Sequence, residues 1–472
     1  MTPESYKLTS ECHVLSDNAA GRAPVAYFPL QSLALQINRS GAALLNKLKR
    51  GTVRDLGKSS RPFLERLAGF GLVNGKGDRQ PAAPSPPAPG MTATVLLLSD
   101  ICTLRCLYCY RKAEGHGDMM PFEIAKAAID TVIENATASR NKGVQVGFHG
   151  GGEPTLNFNV LMKTIDYARR ACRARKLPLH SSICTNGIID EHQAQWLAYH
   201  VDAIVVSIDG PPDIHNRQRP FSNGRPSFEK VAATIDTLRK VNKRYTFRTT
   251  ITGYSENRMD EVYDFLVRRF MPKAIGFEPL FVCGRCESTG CRAPSKSSFA
   301  NEFLKVLDSS KVRGLPVHYS GGRLQLQDRF CGAAGSNFFV TPAGLVTSCL
   351  EVSTAEDPRA RMFIYGHYDK SRRNFIFDRE RLGALSAMSA QSLPSCATCF
   401  ARWHCCGDCP AKVLDINSTN RRKNPYRCFV NKRIIKHLVM TEVDKAMKSV
   451  TNATLKKKER LCEKEGAGRE FP

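Results

Sequence analysis

The chain has 472 residues, 42% of them apolar, and a formal net charge of +25. That length exceeds one ordinary core, so two to four domains are expected. No run reaches the ~18–20 continuous apolar residues of a membrane helix. The start, MTPESYKLTSECHV, lacks the basic and apolar runs of a signal peptide, so membrane and exported classes are set aside and a cytoplasmic protein is expected.

Residues 1–78 read as a small module. Strands VAYFPL and LALQIN precede a helix, GAALLNKLK, that Ser40 would cap and Gly51 would close. A short helix is expected around Val53 to Leu56. A third, SRPFLERLAGFGLV, has Leu64, Leu67 and Phe70 at helical spacing, and LVNGKG reads as a hairpin wing. Strands, three helices and a wing describe a winged helix-turn-helix-like fold. Residues 79–91 are rich in Pro and Ala and read as a semi-rigid linker.

Between 92 and 310, strands and helices alternate. The strand candidates are ATVLLLSD, VQVGFHG, SSICTNG, AIVVSIDG, TFRTTIT and AIGFEPL; amphipathic helices are expected at 122–138, 158–173, 190–199, 226–241 and 257–270. Six such units predict an α/β fold, a parallel sheet curling into a partial (β/α)6 barrel whose chemistry sits after the strand C-termini. An open doubly wound sheet has the same local pattern. Residues 325–436 are loop-rich and cysteine-rich. Residues 437–472 read as a charged helix and, from about 451, a disordered tail.

Eighteen cysteines without an export signal, most in short-spaced groups, suggest metal or iron–sulfur ligation. Cys102, Cys106 and Cys109 fall in CTLRCLYC, directly after the first barrel strand. A [4Fe–4S] cluster normally takes four thiolates, so three leave one iron open. Three thiolates plus a distant fourth ligand on zinc is the alternative. HGGGEPT follows the second strand, TNG ends the third, and SIDGP ends the fourth, with His215 and Arg219 beyond it. A second field runs Cys331, Cys349, Cys396-x2-Cys399-x5-Cys405-x3-Cys409 and Cys428. Zinc-ribbon spacing can also be read into part of it.

Over roughly residues 93–310 the sequence resembles the radical S-adenosylmethionine (SAM) superfamily, whose signature is Cys-x3-Cys-x-aromatic-Cys, with Tyr108 as the aromatic residue. The resemblance implies that Cys102, Cys106 and Cys109 hold the cluster and that SAM chelates its open iron. It implies that one electron cleaves SAM to a 5′-deoxyadenosyl radical. It implies that Gly151, Gly152, Glu153, Pro154, Ser182, Asn186 and Ser207 line the SAM pocket with Tyr108. The second field is similar to the SPASM domain, which binds two auxiliary iron–sulfur clusters, expected to be [4Fe–4S]. Carried over by position, Cys331, Cys349 and Cys409 hold one, and Cys396, Cys399, Cys405 and Cys428 the other. The first set lacks a fourth cysteine; Cys406, or the trio Cys283, Cys286 and Cys291, are candidates. The N-terminal module resembles the PqqD-like peptide-recognition element of maturases of ribosomally made peptides. That implies a precursor-peptide substrate, its leader adding a strand to the module's sheet, and an electron donor such as flavodoxin or ferredoxin.

The expected activity is therefore modification of a precursor peptide by a crosslink or a related change. Maturation of a larger protein, a sulfatase or an amine dehydrogenase subunit, is the second reading. A non-catalytic iron–sulfur scaffold or redox-sensing DNA-binding protein is the third, although two arginines and an apolar face on the candidate recognition helix argue against nucleic acid. Arg421, Arg422, Lys423, Arg427, Lys432, Arg433 and Lys436 form a basic stretch, read as a solvated face or an acidic-partner surface. Glu278 and Asp209 are the candidates for a general base. Cys12, Cys172, Cys184 and Cys462 have no cluster spacing, and Cys184 is expected to pack within the third strand.

Overall fold

The computed structural model describes residues 5–17, 21–51, 53–54, 58–78, 91–111, 116–139, 143–413 and 424–466. At the N-terminus, β1 (Ser5–Tyr6) precedes β2 (His13–Asp17), β3 (Arg22–Phe28), β4 (Leu33–Gln36) and β5 (Val53–Arg54). Strands β2, β3 and β4 form an antiparallel sheet, while β1 pairs with β5. Helices Arg39–Leu48 and Arg61–Gly69 pack Leu44, Leu45, Leu48, Leu64 and Leu67 against Ala26 and Phe28 in a core of their own.

Three expectations are corrected here. The first helix is capped by Asn38, whose Oδ1 accepts from Gly41 N at 2.8 Å, rather than by Ser40. Val53 and Arg54 are extended, because Val53 pairs with Tyr6, rather than helical. The wing is not a hairpin: Asn74 N donates to Lys7 O and Val73 bridges Leu8, so the segment returns to the N-terminal strand. The linker read at 79–91 lies outside the described residues except for Met91.

The main sheet begins with β6 (Ala93–Leu96), β7 (Val144–Phe148), β8 (Leu179–Thr185), β9 (Ala203–Ser207), β10 (Tyr245–Ile251) and β11 (Ile275–Pro279). These are parallel neighbours in chain order. A doubly wound sheet would reverse direction partway. Sequential order with crossovers of one hand instead keeps the helices on one face and curls the sheet. The short β12 (Val317–His318) extends one edge.

Beyond the other edge, β13 (Phe339–Val340) pairs with β6, followed by antiparallel β14 (Leu345–Thr347), β15 (Ile364–Asp369) and β16 (Asn374–Phe377). Strands β6 to β16 thus make one 11-stranded sheet. A final helix runs Pro425–Gly466, so 451–466 is helical where a disordered tail was expected. Its run of Lys, Glu, Leu and Arg is rich in strong helix formers. No helix among the described residues is long and apolar enough to cross a membrane. Of the basic stretch, Arg421, Arg422 and Lys423 lie outside the described residues.

Alternation decides what each barrel strand offers. Along β10, Tyr245, Phe247, Thr249 and Ile251 are buried beneath the helices, whereas Thr246, Arg248 and Thr250 are not. The inward positions of β7, β8 and β11 are likewise small or polar: Gly147, Ser182, Cys184, Gly276 and Glu278. Bulky apolar layers usually fill a barrel; the small and polar side chains at these positions leave a cavity instead.

Candidate active site

Cys102, Cys106 and Cys109 face one cavity of ≈ 240 Å³ at the C-terminal end of the barrel strands. It is lined also by Tyr108, Gly151, Gly152, Glu153, Asn186 and Ser207, which sequence reasoning had put around SAM. A wider groove of ≈ 980 Å³ runs along the helix Phe228–Lys240 to the start of β10, and no cysteine lines it.

The cysteine loop is held by its backbone. Gly152 N donates to Ser99 O at 2.6 Å, and Glu153 N to Ile101 O at 2.8 Å. A Cβ on Gly152 would stand 1.9 Å from Ile101 O, so only glycine allows this approach. Leu107 N donates to Gln218 O at 2.9 Å. On the third side, Arg285 N donates to Cys109 O at 2.9 Å and Thr289 Oγ1 to Leu107 O at 2.9 Å. The 283–291 segment, considered above as a source of ligands, thus clamps the loop. Within it Cys286 Sγ donates to Cys283 O at 2.9 Å, and Cys283 lines the cavity.

Glu153 is buried and joins two strand ends. Thr185 Oγ1 (2.7 Å) and Thr155 Oγ1 (2.8 Å) donate to one of its oxygens, and Asn186 N (2.7 Å) to the other. Burial lifts its pKa above the usual carboxylate value against these bonds. Pro154 opens a short 3₁₀ turn at 154–157 and does not line the cavity. Ser182 lies one layer lower, in an adjoining chamber.

Asp209 is fully buried and committed. It accepts from Tyr108 OH at 2.5 Å, Gln218 Nε2 at 2.8 Å and Thr250 N at 3.1 Å, and pairs with Arg219 Nε at 3.0 Å. Burial opposes its charge, but Arg219, His215 and these bonds hold its pKa below the usual value. Glu278 accepts from Ser320 N and Ser320 Oγ, both at 2.9 Å. Asp209 is therefore a structural anion here, which weighs against it as a general base. His215 is also buried. Its Nδ1 accepts from Asp209 N at 3.3 Å, which leaves Nε2–H to donate to Ser227 Oγ at 3.1 Å.

The three thiols suit an iron–sulfur cluster. Burial pushes Cys102 up to about 11 and Cys106 up to about 12, so the bare sulfurs stay protonated until a cation replaces the proton. Asn186 Nδ2 lies 3.7 Å from Cys102 Sγ, and Arg219 Nη1 3.9 Å from Cys106 Sγ. Such donors tune cluster thiolates.

In the second field, Cys396, Cys399, Cys405 and Cys428 line one cavity of ≈ 140 Å³. Asn431 Nδ2 donates to Cys405 Sγ at 3.2 Å. Cys349 sits near Cys331 and Cys409, and burial first, then Glu351 and these thiols, raises its pKa. Cys406 turns elsewhere: its Sγ donates to Gln327 O at 3.0 Å and packs with Trp403 and Ala390. Among the described residues no group of three or more His, Cys, Asp or Glu side chains could hold a metal ion as it stands. Between Asp408 and Arg427, neighbours of Cys409 and Cys428, runs a buried ion pair with contacts of 2.5 and 2.8 Å.

Sequence reasoning missed His149, Arg248, Glu351 and Lys412, all on the first cavity, and placed Cys184 within the strand although it too faces that cavity. Strand alternation was the available signal for Cys184 and Arg248. No local pattern marks Glu351 and Lys412, which arrive from the second cysteine field.

Residues 96–266 match the model of the radical SAM superfamily. This stretch is a radical SAM domain. The family implies a [4Fe–4S] cluster bound with SAM, and the cysteines fit it. Over 268 residues the chain is 27% identical to an uncharacterized protein, MJ0907, of Methanocaldococcus jannaschii, covering 55% of this chain and 85% of that one. It is 25% identical over 185 residues to a cysteine-type anaerobic sulfatase-maturating enzyme of Clostridium perfringens, 38% of this chain and 48% of that enzyme, so the match spans about half of that relative. Among solved structures, anSMEcpe with bound AdoMet and the Cp18Cys peptide superposes with a TM-score of 0.60 at 18% identity, covering 75% of this chain and 99% of that one. Streptococcus suis SuiB bound to S-adenosylmethionine gives 0.51 at 13%, covering 89% and 99%. These likenesses establish the α/β radical SAM fold with its parallel sheet.

Proposed function

We propose that the protein is a radical SAM enzyme that modifies a ribosomal precursor peptide. The carrying observation is the convergence of Cys102, Cys106 and Cys109 on one cavity with Gly151, Gly152, Asn186 and Ser207. These three thiols would hold the cluster, and Tyr108, Glu153 and Asn186 would shape the SAM pocket around it. When bound, the cluster supplies the electron that splits SAM and so generates a 5′-deoxyadenosyl radical able to abstract hydrogen. Gly151 and Gly152 fix the cysteine loop, and Asn186 and Arg219 place N–H groups toward its sulfurs.

Cys331, Cys349 and Cys409 would hold one auxiliary cluster and Cys396, Cys399, Cys405 and Cys428 a second, in a SPASM-type region at 325–436. Residues 1–78 would be a PqqD-like module whose sheet takes a leader peptide as an added strand. A solved structure of SuiB bound to precursor peptide SuiA has this fold at a TM-score of 0.50, which supports a peptide partner. A low-potential donor such as flavodoxin or ferredoxin and a cytoplasmic location complete the reading.

The similarity to sulfatase-maturating enzymes favours a second reading, maturation of a larger protein. Co-expression with the small peptide of a neighbouring reading frame separates the two. Loss of two hydrogens from that peptide by mass analysis is expected. An unchanged peptide beside an altered sulfatase would reverse the choice. For the radical reading, anaerobically reconstituted protein with a strong reductant should release 5′-deoxyadenosine, and Cys102→Ala, Cys106→Ala or Cys109→Ala should abolish it. Release that persists in these variants would overturn the assignment.

A further inference from the structure

Below the cysteine cavity lies an adjoining chamber of ≈ 330 Å³. It exists because inward strand positions are small: a Cβ on Gly147 would meet Val95, and one on Gly276 would meet His318 Nε2 at 2.7 Å. Arg248, His149, Cys184 and Glu278 line both spaces, so the two communicate.

The charges around these spaces are mostly answered. Arg219 is paired with Asp209. Lys412 Nζ lies 3.4 Å from Glu351 Oε1, and Arg359 3.6 Å from the other oxygen. Each oxygen of Glu278 takes a hydrogen bond from Ser320. Burial lowers the pKa of His318, which favours its neutral form. Arg248 is different. Among the described residues its guanidinium has no hydrogen bond or ion pair, and it is exposed into the hollow barrel. Its five N–H donors form a planar fork that matches a carboxylate.

We infer that Arg248 anchors a carboxylate of the substrate, the side chain of an Asp or Glu residue, in the barrel beneath the radical site. Resting on the reading above, this deepens it by naming the residue class that enters. Arg248 lies two residues before Thr250, whose N–H meets Asp209 beside Tyr108. Two residues of strand are about 6.6 Å. A carboxylate on Arg248 therefore lies within reach of the cavity that Cys102, Cys106 and Cys109 line, since Arg248 borders that cavity too. Glu278 lies on the same inner face and would repel a carboxylate that missed the fork, so placement is specific. A lysine-bearing substrate fits less well, because its ammonium would meet the like charge of the Arg248 guanidinium.

The test uses the full chain and three probes: acetyl-Gly-Asp-Gly-amide and its Asn and Lys counterparts, titrated calorimetrically. The Asp peptide should bind about tenfold or more tightly than the Asn peptide, the scale of a charge-assisted bond. Arg248→Gln should erase that preference, and Arg248→Lys should restore part of it. In parallel, the change that SAM produces in the electron paramagnetic resonance spectrum of the reduced cluster is recorded for wild type and Arg248→Gln. If that change disappears while the Asp preference stays, Arg248 holds the carboxylate of SAM and the inference is overturned. Equal binding of all three peptides overturns it as well. Absence of SAM cleavage in the wild type would instead refute the radical reading, while the peptide preference still reports on Arg248.

Discussion

Replacing Asp209 by Asn tests the buried network behind the cysteine loop. The substitution keeps the volume but removes the charge that faces Arg219 at 3.0 Å and receives Tyr108 OH at 2.5 Å. Arg219 then remains a buried cation without a counter-ion, with Cys106 Sγ 3.9 Å from its Nη1. Breaking one side of a buried pair costs about 3–5 kcal/mol. The Asn NH₂ adds to this, since Tyr108, Gln218 and Thr250 all offer donors. For a domain of this size 1 kcal/mol is roughly 2–4 °C of melting temperature. Anaerobic thermal melts should therefore show Asp209→Asn lowered by at least about 6 °C. Asp209→Asn/Arg219→Met, which removes both charges, should recover more than half of that loss. Tyr108→Phe, which removes one bond to a charged group, should cost about 1.5–3 kcal/mol. If Asp209→Asn melts with the wild type, or the double variant is no better than the single, the pair is not what anchors this loop.

Burial pushes His215 down to about 3, whereas an unfolded histidine titrates near ~6.5. Between these values the unfolded chain binds more protons, so stability should fall as pH drops from about 6.5 toward 3 and stay flat above. Melting curves at stepped pH should show this slope reduced in His215→Gln. Gly152→Ala forces a Cβ to 1.9 Å from Ile101 O, so reconstituted protein should lose about four irons per chain, while Gly69→Ala, with nothing within 4 Å, should reconstitute normally. Arg427→Met leaves Asp408 buried and unpaired between the ends of the second cysteine field. Iron analysis should show loss of that field's iron, with 5′-deoxyadenosine release retained.

The barrel was legible because strand candidates and amphipathic helices alternate at regular intervals, and each of the six candidates is a strand in the order read. The first cavity was legible in part for the same reason, since Cys102, Gly151 and Asn186 follow strand C-termini and Ser207 ends one. Other features depend on distant partners. Strand β2 is short and half polar, and pairs only because β3 lies beside it. Val53 is extended only because Tyr6 is its neighbour. Asn38 outcompetes Ser40 as a cap by two residues of register, the scale on which helix starts shift with the local cap. Asp209 looked like a free strand-end acid because nothing in SIDGP reveals that Tyr108, Gln218 and Arg219 will surround it.

The N-terminal sheet rests on the C-terminal part of the chain. Leu15, Val25 and Tyr27 pack with Ala401, Ile435 and Val439, beside Cys399 and Cys405. Trp403 Nε1 donates to Glu11 Oε2 at 2.8 Å, Tyr27 OH meets His404, and Lys436 reaches Ser16 O. Anyone who builds hybrids by exchanging residues 1–78 between proteins of this architecture should therefore not cut only at the Pro-rich stretch. The graft would carry a contact surface shaped for Ala401, Trp403 and Ile435 and leave those residues facing a stranger. Exchange of both ends together, with the barrel kept as host, is the recombination that preserves this interface.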